Sequence, residues 1–89
     1  MACVKPDGAL TATALATLEA LAGGGAVEGL AVAKALGKPL FVARGILREL
    51  GEAGLVEKGG EAVAGSPAAE LFRITDPGRS ALGRGKVAP

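Results

Sequence analysis

The sequence predicts a small, mostly helical α+β domain, and three observations carry that prediction. Stretches with apolar residues at helical spacing are each ended by glycine, at 23–25, 37 and 54. Two short alternating runs, starting at Leu55 and Ala69, flank a segment rich in glycine and alanine. The chain of 89 residues is one domain's worth, enough for a single modest core.

Each element can be justified in order. Residues 1–8, broken by Pro6 and Gly8, read as a disordered leader. From Ala9 to Ala22, ALTATALATLEALA places Leu10, Ala14, Leu18 and Leu21 on one helical face, with Thr11 or Thr13 as N-cap. Gly23, Gly24 and Gly25 stop this helix, because consecutive glycines lose too much backbone entropy to stay helical. Val27 suits a short strand, Glu28 a cap, and Gly29 to Leu36 a second helix closed by Gly37 in the left-handed conformation. Lys38-Pro39 forms the turn. Pro39 fits the first turn of a third helix, where its missing N–H is not needed, and that helix runs to about Ala53 before Gly54.

At about 100° per residue, the third helix gathers Val42, Ala43, Ile46, Leu47 and Leu50 on one arc, and Phe41, Arg44, Gly45, Arg48 and Glu52 on the other. Leu55 to Lys58 reads as a strand, Ala69 to Thr75 as its antiparallel partner, and Gly59 to Ala68 as the hairpin loop between them. Thr75 caps a short closing helix, with Asp76 and Pro77 in its first turn. One domain is expected over 9–83, followed by a flexible tail at 84–89.

Composition narrows the chemistry. Hydrophobic residues make up 49%, but the aromatics are only Phe41 and Phe72, so the core must pack small and branched aliphatics closely. A single cysteine, Cys3, allows no internal disulfide, and without histidine the usual zinc and iron ligand sets cannot be built. The same absence leaves no base for serine or cysteine nucleophiles. No metal, no cofactor and no catalysis are expected. A phosphate-binding loop at Gly37-Lys38 fails on spacing, since Val32 and Pro39 stand where the pattern needs Gly and Ser or Thr. The N-terminus lacks a secretory signal and every apolar run is interrupted before membrane-spanning length, which points to a cytoplasmic protein with no membrane partner.

Net charge is +1, but it is unevenly spread. Lys34, Lys38, Arg44 and Arg48 give residues 29–48 a charge of +4 with no acid among them, residues 49–76 carry −4, and Arg79, Arg84 and Lys86 make the end of the chain basic. The basic stretch is either a binding face or an ordinary solvated one.

The order helix, short strand, helix, tight turn, helix, hairpin, helix is that of a winged helix-turn-helix: a three-helix core, a short β-hairpin wing and a short closing helix. The motifs agree. VAKALG resembles the LAxxLG second helix of that family, LRELGEAGLVEK its LxxLxxxGLVxR junction, and FRITDPGRSAL its LTxxGRxxL entry into the closing helix. The 17-residue separation of Gly37 and Gly54 is similar to that of MarR- and PadR-type transcriptional regulators.

That resemblance implies sequence-specific binding of double-stranded DNA by a transcriptional regulator, with helix 39–53 in the major groove. Arg44 and Arg48, one turn apart, are the candidate base readers, with Gly45 between them allowing close approach. Lys34 and Lys38 are the candidate phosphate contacts. Where such regulators open the recognition helix with polar residues, this chain has Leu40, Phe41 and Val42, which can touch thymine methyls but bring no hydrogen bonds. The wing, residues 59–68, has no cation, so minor-groove contact is not expected of it. Arg79, Arg84 and Lys86 read as solvated tail charges or accessory phosphate contacts. A homodimer through the Ala-rich first and closing helices is expected, because one module of this size gives a small interface. The alternative is a winged-helix protein-interaction module that docks a partner through Leu40 and Phe41 and binds no DNA.

Overall fold

The computed structural model describes residues 10–23, 25–60 and 70–86, with backbone only for the last three. The leader expected at 1–8 and most of the hairpin loop lie outside the described residues. The elements are α1 (Ala12–Leu21), β1 (Val27–Glu28), α2 (Gly29–Leu36), α3 (Leu40–Glu52), β2 (Val56–Gly60), β3 (Leu71–Ile74) and α4 (Asp76–Lys86).

Thr11, not Thr13, caps α1. It holds extended backbone and its Oγ1 accepts from the Ala14 N–H at 3.2 Å, so the helix begins at Ala12, later than the apolar pattern alone indicated. Thr17 is fully buried, and its hydroxyl donates to the Thr13 carbonyl at 2.8 Å, which removes the cost of an unpaired polar atom. At α2 the expected side-chain cap is absent. Glu28 occupies the N-cap position without a cap bond, and the Gly29 N–H donates instead to the Glu70 carbonyl at 2.9 Å. Gly37 closes α2 at φ 67°, and the Lys38 N–H donates to the Ala33 carbonyl at 3.0 Å, pairing carbonyls that the helix end would leave open. Pro39 sits just outside α3 as its N-cap, and its carbonyl accepts from the Val42 and Ala43 N–H groups.

The three strands form one antiparallel sheet in the order β1-β3-β2. Val27 pairs with Phe72 on one side of β3, while Val56, Glu57 and Lys58 pair with Ile74, Arg73 and Phe72 on the other. An irregularity between Lys58 and Gly60 brings Gly60 opposite Leu71.

The core lies where α1, α3, the sheet and α4 meet: Ala14, Leu18 and Leu21 from α1, Ile46, Leu47 and Leu50 from α3, Phe72 and Ile74 from β3, and Ala81 and Leu82 from α4. Alanines at this centre let the helix backbones approach closely, in keeping with a core that has one buried aromatic among the described residues. The apolar arc of α3 is the buried one, with Ala43, Ile46, Leu47 and Leu50 inside and Val42 half-buried, while Phe41, Arg44, Gly45, Arg48 and Glu52 are exposed.

The closing segment departs from expectation. α4 continues to Lys86, past Gly83, so residues 84–86 are helical rather than a flexible tail, and 87–89 lie outside the described residues. Glycine weakens a helix without forbidding it, and this one is strongly anchored. The Thr75 hydroxyl accepts from the Gly78 N–H at 3.1 Å and donates to the Gly54 carbonyl at 2.7 Å, while the Thr75 N–H donates to the Leu55 carbonyl at 3.1 Å. Arg79, expected among the solvated charges, donates from Nη1 to the Ala22 carbonyl at 3.2 Å and ties α4 to the end of α1.

Candidate nucleic-acid interface

The scaffold puts the four cations on one continuous surface: Lys34 on the outside of α2, Lys38 in the turn, and Arg44 and Arg48 one turn apart on the outer arc of α3. All four are exposed. The ion pairs among the described residues are Lys58 with Glu70 at 3.3 Å and Arg73 with Glu57 at 3.2 Å, so none of the four is neutralised by an acid there. The sharp turn is what joins them. Gly37 in its left-handed conformation reverses the chain so that the last turn of α2 and the first of α3 face the same way.

The apolar residues at the head of α3 separate. Phe41 is 76% exposed, whereas Leu40, expected beside it at the surface, is half-buried against the core. A Cβ on Gly29 would lie 3.8 Å from the Leu40 Cδ1, which places Leu40 over the start of α2. Leu40 is therefore mainly a packing residue, and Phe41 alone projects. Gly45, one turn further along the same face, is exposed, and a Cβ there would meet nothing within 4 Å.

Between the outer arc of α3 and the hairpin strands runs a groove of about 570 Å³. Leu47, Val56 and Phe72 form its floor. Its polar rim sets Arg44, Arg48 and Lys58 against Glu52, Glu57 and Glu70, so the groove is electrically balanced while the α2–turn–α3 surface is not. These carboxylates are the feature the linear reading missed. The Glu57–Arg73 pair follows from direct cross-strand register, but the approach of Glu70 to Lys58 depends on the irregularity in β2, for which no local signal exists. Arg84 and Lys86 lie on the last turn of α4, and their side chains are outside the described residues.

Three helices, a turn with two helices set across it, and an antiparallel hairpin define a winged helix-turn-helix domain. No family model and no curated protein matches the sequence. Solved structures do. The Bordetella bronchiseptica regulator BpsR, whose DNA binding is regulated by 6-hydroxynicotinic acid, superposes with a TM-score of 0.71 at 26% identity, over 89% of this chain and 55% of its own. The PcaV transcriptional regulator of Streptomyces coelicolor gives a TM-score of 0.76 at 24% identity, over 96% of this chain and 57% of its own. MarR of E. coli gives 0.70 at 19% identity, over 84% and 54%. The fold is that of the MarR transcriptional regulators, and the chain spans just over half the length of these structures. Among the described residues no helix is long and apolar enough to cross a membrane.

Proposed function

We propose that this chain binds double-stranded DNA as a winged-helix transcriptional regulator, with α3 in the major groove. The observation that carries the reading is the set of four unneutralised cations on α2, the turn and α3, on a fold otherwise found in DNA-binding regulators. Arg44 and Arg48 are assigned to base edges, because a guanidinium can fork onto guanine O6 and N7. Phe41 and Gly45 are assigned to close apolar approach, and Lys34 and Lys38 to phosphates. Leu40 contributes at most its exposed fraction. The balanced groove gives the hairpin strands little attraction for phosphate, so binding rests on α3.

A homodimer is part of the proposal. The buried arcs of α1 and α4 are already packed within the monomer, which leaves the outer alanines Ala12 and Ala16 for a partner. The competing reading, a protein-docking module, is favoured by one observation, the exposure of Phe41.

Duplex affinity measured across a salt series tests the function. Binding should weaken steeply with salt, and the Arg44→Ala, Arg48→Ala double variant, folded by circular dichroism, should lose it. Binding that is flat with salt and indifferent to that double change would rule out the DNA reading.

A further inference from the structure

We propose, building on the DNA reading above, that Phe41 and Gly45 form a thymine-methyl reader, so that the preferred duplex carries a thymine within one or two base steps of the pair met by Arg44. Phe41 holds an aromatic ring 76% exposed on the outer arc of α3. A ring left in water favours any partner that covers it. Its neighbours say which partner: Lys38 precedes it by three residues, Arg44 follows by three, and neither has an acid partner among the described residues. A hydrophobic protein patch would have to desolvate those charges. A duplex pairs them with phosphates and guanine, and it offers the thymine C5 methyl as the apolar group of its major groove.

Gly45 supplies the second, independent observation. It lies one turn from Phe41, its Cβ would meet nothing within 4 Å, and its φ is not among the positive ones. Neither packing nor backbone conformation requires glycine there, although glycine weakens the helix. What glycine does provide is an open notch beside the Phe41 ring where a base edge can reach the helix backbone. Phe41 and Arg44 stand about 4.5 Å apart along the helix axis, little more than the ~3.4 Å spacing of bases on one strand. The methyl and the guanine they meet should therefore be near neighbours.

The test starts from random-sequence duplexes enriched by the wild-type chain. Each thymine of the enriched duplex is then replaced by deoxyuridine, which removes the C5 methyl and keeps every hydrogen bond. At one thymine the affinity should fall about fourfold, the worth of one buried methyl. Phe41→Ala should lose that response while keeping its salt dependence. Gly45→Ala should bind more weakly even though its melting temperature holds or rises, which separates a filled notch from a damaged fold. Uracil without effect at every position, a full response retained by Phe41→Ala, or unweakened binding by Gly45→Ala would overturn this inference alone. A wild-type chain that enriches no duplex would overturn the DNA reading together with it.

Discussion

Two glycines show how opposite physical demands can share one residue type. At Gly78 a Cβ would collide with the Leu55 carbonyl oxygen and lie 2.8 Å from the Ile74 Cγ1, because the first turn of α4 presses against the junction that follows α3. At Gly45 a Cβ would project into open space. Gly78→Ala is expected to cost about 1–3 kcal/mol of stability by forcing that junction apart, readable as a lowered urea midpoint, and Gly45→Ala is expected to raise it. Thr75 belongs with Gly78. Its hydroxyl both caps α4 and holds the Gly54 carbonyl, so the Thr-x-x-Gly-Arg pattern at 75–79 is a structural lock: cap, close approach, and the Arg79 bond to Ala22. The residues that make the fold recognisable are thus different from those assigned to DNA.

At the scale of elements, α3 divides its labour by arc. Leu50 is fully buried and Arg48, two residues earlier, is exposed. Leu50→Ala should remove about 2–5 kcal/mol by leaving a cavity among α1, α3 and the sheet, whereas Arg48→Ala should leave the denaturation midpoint unchanged and affect binding only. Helical periodicity made this division legible in advance, because the buried and exposed sets recur at 3.6 residues per turn. Helix ends were less legible. Pro39 and Thr11 both moved from inside a helix to its cap, since the same residue types favour either place. The extension of α4 through Gly83 could not be read locally, because anchoring at its first turn outweighs the weak propensity of its last.

For the whole molecule, the distribution of charge decides more than its sum. The net charge of +1 conceals a basic α2–α3 face beside a balanced groove. Removing Arg44 and Arg48 together should reduce the log–log salt slope of duplex binding by about 1.8 if both meet phosphate-rich surface. Glu70→Gln, by freeing Lys58 from its partner 3.3 Å away, should tighten binding at low salt and steepen that slope. Because this ion pair is largely exposed on its lysine side, its loss should change stability little.

The order of elements, the inward arc of α3, the left-handed Gly37 and the basic run from Lys34 to Arg48 are all determined by the sequence itself. Each depends on local conformational preference or on helical period, which neighbouring residues suffice to set. Only the tertiary structure decided that Leu40 turns toward the core while Phe41 stays out, that Glu70 reaches both Lys58 and the start of α2, and that Arg79 binds the end of α1. Those contacts join residues distant in the chain, from 12 apart for Lys58 and Glu70 to 57 apart for Arg79 and Ala22. Their partners are chosen by how the sheet registers and the helices pack.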